Sequence, residues 1–89
     1  MMTGAQYELL NAALASPGTV VVDRRGVAWN LGAKCTRTFD AAQRRGYARL
    51  ADEPDAAGQR AVEVTEEGWA AMRDWATKHL RTVPVAAQR

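Results

Sequence analysis

The sequence predicts a small α+β domain, and three observations carry that expectation. Apolar residues recur at helical spacing near both ends and in the middle of the chain. Short β-branched or alternating runs lie between those stretches. Clusters of Gly, Pro and Asp stand wherever one period gives way to the other. With 89 residues, 47% of them hydrophobic and 25% charged, the chain is long enough for one modest core.

The first helix is announced by Thr3 with Gln6 three positions on, a capping box in which hydroxyl and amide satisfy each other's backbone N–H groups. Tyr7, Leu10 and Leu14 fall on one face, and Ser16-Pro17-Gly18 ends it. Thr19-Val20-Val21-Val22 reads as a strand, Asp23-Arg24-Arg25-Gly26 has turn chemistry, and Val27, Trp29 and Leu31 alternate as a returning strand. A helical turn over 27–33 is the competing reading of that last piece; in the hairpin reading, Trp29 is expected in the core. A polar helix over 36–45 follows, with Phe39 and Ala42 facing inward, Cys35 or Thr36 as its cap and Gly46 as its left-handed stop. Tyr47 to Leu50 and Ala61 to Val64 alternate as two further strands, joined by a loop over 52–59 that is expected to be mobile. Thr65 caps a last helix with Glu66 and Glu67 in its first turn and Lys78, His79 and Arg81 near its end, both placements suiting the helix dipole. The domain is expected to span 1–81, with 82–89 a frayed tail.

The formal net charge of +2 conceals a pattern. Residues 24–49 hold seven basic groups against Asp40 alone, whereas residues 50–68 hold six acids against Arg60 alone. A surface so divided usually meets a charged partner. No apolar run is long enough to span a bilayer, and the N-terminus lacks the pattern of a secretory signal. The lone Cys35 suits a reducing, cytoplasmic setting, and the preference for Arg over Lys suits a GC-rich bacterial or phage genome.

The run Gln43-Arg44-Arg45-Gly46-Tyr47-Ala48-Arg49-Leu50, followed after a loop by Val62-Glu63-Val64-Thr65-Glu66-Glu67-Gly68, resembles the winged-helix repressors of the MarR type. The resemblance covers about residues 36–80 and implies a DNA-binding regulator whose recognition helix is 36–45 and whose wing is 52–59. It implies that Thr36, Arg37, Asp40 and Arg44 face a duplex, with Lys34 just ahead of the helix. Arg can make two bonds to a guanine edge, while Arg24, Arg25 and Arg60 would meet phosphates. The wing carries Asp52, Glu53 and Asp55, which repel phosphates. A protein–protein module docking that acidic wing on a basic protein surface is therefore the alternative expectation.

Catalytic and metal chemistry find little support. Ser16, Cys35 and His79 are each the sole residue of their type, so neither a nucleophile–base pair nor a zinc site can be assembled, and no cofactor is expected. Cys35 at a helix start is read as a half-buried small residue, with redox sensing a lesser reading. On the last helix Trp69, Met72, Ala76 and Leu80 form a stripe that closes the core. Met72, Trp75 and His79 form a second stripe, expected to build a homodimer interface; the other reading lays Trp75 flat over the domain edge.

Overall fold

A computed structural model of the chain describes residues 1–80. The expected boundary at 81 and the tail 82–89 lie outside the described residues. Three helices pack with a five-stranded antiparallel sheet in an α+β arrangement. In chain order the elements are α1 (Gly4–Ala15), β1 (Val20–Val22), β2 (Ala28–Asn30), β3 (Ala33–Lys34), α2 (Thr36–Arg44), β4 (Ala48–Leu50), β5 (Arg60–Val64) and α3 (Glu66–His79).

The capping box at the start of α1 is present. Thr3 N donates to Gln6 Oε1 at 3.0 Å and Gln6 N donates to Thr3 Oγ1 at 3.1 Å. Tyr7, Leu9, Leu10 and Ala13 turn the helix's apolar face inward. Thr65 caps α3 in the same manner, its hydroxyl accepting from Gly68 N at 3.0 Å. The helix over 36–45 forms, but neither expected cap does its job. Cys35 sits at the N-cap without a side-chain bond. The Thr36 hydroxyl instead accepts from Ala28 N at 3.1 Å, tying the helix to β2 rather than to itself.

The sheet order is β3-β2-β1-β5-β4. Val22 pairs with Ala28 on one side and with Arg60 on the other, so the 23–26 turn and the 51–59 loop emerge from the same end of the sheet. At the far end, Ala48 pairs with Val64 where α2 has delivered the chain into β4. One sheet face is buried through Val20, Val22, Ala28, Ala48 and Val62, which join Leu10, Phe39, Ala42, Met72 and Ala76 from the three helices. The opposite face carries Val21, Trp29 and Ala61, each partly exposed, and the exposed Arg49–Glu63 pair.

Four expectations are corrected here. Trp29 is not in the core: the register puts Ala28 inward at 0% exposure, so the alternation of the strand turns its neighbour outward. Asp23 Oδ2 receives the displaced indole N–H at 3.1 Å. The strand that was expected to run through Leu31 turns back there, Leu31 and Gly32 forming a tight hairpin that pairs β2 with β3. Leu80 lies beyond α3 and is 44% exposed rather than closing the core stripe. The 52–59 loop, expected to be mobile, is tied by one carboxylate: Asp55 Oδ1 accepts from Ala57 N and Gln59 N, both at 2.9 Å. Two backbone bonds reinforce it, from Asp55 N to Gln59 O at 2.7 Å and from Gly58 N to Asp55 O at 2.9 Å.

Candidate nucleic-acid interface

The basic segment is organised around α2. Phe39 and Ala42 anchor its inner face in the core, at 3% and 0% exposure. A turn of about 100° per residue then places Arg37, Asp40, Ala41 and Arg44 on the outer side. Arg37 and Arg44 are exposed; Thr36, Asp40 and Ala41 are half-buried. Both helix ends are fastened. At the start, Cys35 N donates to Ala28 O at 2.8 Å, beside the Thr36 bond. At the finish, Gly46 adopts a φ of 79° and donates to Gln43 O at 3.0 Å, and its own carbonyl accepts from the Thr65 hydroxyl. A helix held at both ends fixes the backbone positions from which its outer side chains project.

The cations of this region form no close ion pair, with Asp40 lying between Arg37 and Arg44 on the outer side of α2. Among the described residues there are two ion pairs, Arg49 with Glu63 at 3.0 Å and Lys78 with Asp74 at 3.2 Å. None of Arg24, Arg25, Lys34, Arg37, Arg44 or Arg45 takes part, and all six are exposed. The nearest acid in sequence to the turn, Asp23, is occupied locally. The indole N–H of Trp29 and then the Val27 N–H hold its carboxyl below the usual carboxylate range.

The remaining site residues divide by role. Arg60 is half-buried and braces the acidic loop: its Nη1 donates to Ala51 O at 3.0 Å and also to Asp52 O. Arg24 lies across the same loop, where a Cβ on Gly58 would collide with its guanidinium. The two hairpin tips thus enclose a shallow cleft of about 460 Å³ lined by Val22, Asp23, Arg24, Leu50, Pro54 and Arg60. Arg25 and Lys34 make no such contacts and are exposed, the Arg25 charge acting only on the neighbouring Asp23. The start of α2 is bonded to Ala28, which lies two strands over from Arg60 and so about 10 Å from the base of the acidic loop. Arg44 lies ~10 Å along the helix from Arg37.

The other singled-out residues lie elsewhere. Burial pushes the Cys35 thiol up, which opposes the thiolate a redox sensor needs. Met72 is 0% exposed inside the protomer and has no surface to offer a second copy. Trp75 stacks on Tyr7 with ring centroids 4.4 Å apart, and His79 covers it at 4.5 Å. No group of three His, Cys, Asp or Glu among the described residues is placed to hold a metal ion. Among those residues, too, no helix is long and apolar enough to cross a membrane. Sequence reasoning missed Leu31, which stands 85% exposed at φ 52°. Its only signal was the Gly that follows, because leucine rarely takes a left-handed turn position.

No family model matches this chain, and comparison with curated proteins and with solved structures gave no significant match.

Proposed function

We propose that this chain is a DNA-binding regulator of winged-helix type that sets α2 in the major groove of a duplex. The observation that carries the reading is the pair Arg37 and Arg44, exposed and without acidic partners on a helix fastened at both ends. Such a helix can offer guanidinium forks to base edges while Arg25 and Lys34 meet phosphates. The topology is compatible with it: β1, β5 and β4 lie side by side, α2 feeds β4, and the loop between β4 and β5 would serve as the wing. In the hairpin β2–β3 this chain has strands where a helix-turn-helix protein has its preceding helix, so α2 is held by strand bonds instead of helix packing.

The acidic wing fits if it stands off the phosphates, and Arg24 and Arg60 bearing on it from within reduce its field. The direct test is selection from a random duplex pool followed by binding at about 50 and about 200 mM salt. Recovery of a preferred sequence, weakened selectively by Arg37→Ala, supports the reading. Absence of duplex binding at the lower salt overturns it and transfers the acidic wing to a basic protein partner.

A further inference from the structure

Asp40 is the one acid among the seven basic groups of residues 24–49. It shares the outer side of α2 with Arg37, three positions before it, and Arg44, four positions after it. Both spacings put a guanidinium within reach of a carboxylate, yet neither pair forms. The ion pairs among the described residues are Arg49 with Glu63 and Lys78 with Asp74. Nor does the Asp40 side chain accept a hydrogen bond from any of those residues. Other acids serve the fold: the Asp23 carboxylate accepts three hydrogen bonds and that of Asp55 accepts two. Asp40 is half-buried, so it gives up hydration and gains no donor in return. The fold gives no reason for an acid at this position.

The chemistry of the major groove supplies one. A carboxylate is repelled by phosphates, so Asp40 gains only where it meets an amino group. Guanine shows two acceptors in the major groove, thymine an acceptor and a methyl group, and adenine an acceptor beside its amino group. Cytosine alone shows a donor, its N4 amino group, with no acceptor next to it. We propose that Asp40 is a specificity-determining residue that accepts from cytosine N4, between two guanines contacted by Arg37 and Arg44. This rests on the DNA-binding reading above and assigns it a class of duplex, a short site of G·C pairs.

The spacing suits it. A rise of about 1.5 Å per residue sets Asp40 about 4–5 Å from Arg37 and about 6 Å from Arg44 along the helix. Successive base pairs are about 3.4 Å apart, so the three side chains cover about three to four pairs, with Asp40 over an inner one. Asp40 is also the middle residue of Thr36–Arg44. A straight helix comes nearest the floor of a curving groove at its middle, where a short side chain suffices, while the longer arginines reach in from either end.

The experiment selects sites from a random duplex pool with wild type, Asp40→Asn and Asp40→Ala at about 50 mM salt, then measures affinity for single-position variants of each site. Because the carboxylate bonds none of the described residues, neither variant should lose thermal stability. Wild type should prefer cytosine over adenine about tenfold at one inner position. Asn carries a donor and an acceptor that match adenine N6 and N7, so Asp40→Asn should reverse that preference and keep the flanking guanines. Asp40→Ala should lose the preference at that position alone. If both variants bind every duplex more tightly with base preference unchanged, Asp40 only repels phosphates; the proposal is overturned and the DNA reading stands. If Asp40→Asn relaxes the choice of a flanking guanine instead, Asp40 orients an arginine, and the contact with cytosine is again overturned. If wild type binds no duplex, both proposals fall together.

Discussion

Asp23 illustrates how much one side chain organises here. Its Oδ1 accepts from Arg25 N at 2.9 Å and Val27 N at 3.0 Å, closing the turn, while its Oδ2 holds Trp29. These bonds favour the ionised form, so its pKa is lowered on folding, with the Trp29 bond the largest cause. A carboxyl depressed on folding contributes stability above its unfolded pKa and loses it as pH falls through its folded value. Thermal melts of wild type and Asp23→Asn should therefore differ most near neutrality and converge below the ordinary carboxylate range. A constant offset across that range would contradict this role. The arginines separate by their contacts. Arg37→Ala should cost a selected duplex about 1–3 kcal/mol more than a random one. Arg25→Ala, which removes from the fold only a minor charge interaction with Asp23, should weaken both alike and reduce the salt slope by about one unit. Equal losses for the two variants on every duplex would deny α2 a reading role. In the sequence, Asp23 was legible as a turn opener and the arginines as a basic cluster. The bond to Trp29 was not, because it depends on which face the register gives that residue.

Element by element, the helices were the most legible part. Thr3 with Gln6, Gly46 and Thr65 mark their ends through local hydrogen bonds, and local chemistry can be read from a sequence. The strand β3 could not be read: its two residues, Ala33 and Lys34, gain their pairing only because Leu31 and Gly32 reverse the chain. Order in the acidic loop was equally hidden, since Asp55 reads as surface charge until its amide partners are placed. The junction of β4 with α3 is tight. A Cβ on Gly68 would strike the Tyr47 carbonyl oxygen and come within 2.8 Å of Val64 Cγ1. Gly68→Ala should thus destabilise by about 1–3 kcal/mol, although alanine would ordinarily favour a helix by about 1 kcal/mol. Denaturant melts showing a gain would mean that the junction is looser than described. Replacing Asp52 and Glu53 by Asn and Gln leaves the Asp55 bonds intact. It should strengthen duplex binding modestly at low salt, and titration against one labelled duplex measures it.

Across the whole molecule, one side of the sheet and three helices close a single core, and the terminal helix completes it from within. Trp75 lies on Tyr7 within the chain itself. Trp75→Ala should therefore lower folding stability by about 2 kcal/mol, short of the cost for a fully buried ring. A dimer built on this tryptophan would instead dissociate with its stability little changed, an outcome that sedimentation and melts together would reveal. The charge pattern visible in the sequence survives folding: the six exposed cations of residues 24–45 form no ion pair, and the acidic loop stands at the end of the sheet that also carries the 23–26 turn. That arrangement makes salt dependence the most direct measure of the central claim. Titrating the domain against a random duplex from about 50 to about 200 mM salt should give a log–log slope of about −3 to −5, as expected for a handful of phosphate contacts. The Arg37→Ala/Arg44→Ala double variant should bind more weakly across the whole range. No binding at about 50 mM salt, or binding whose strength ignores salt, would contradict a duplex-reading role for α2.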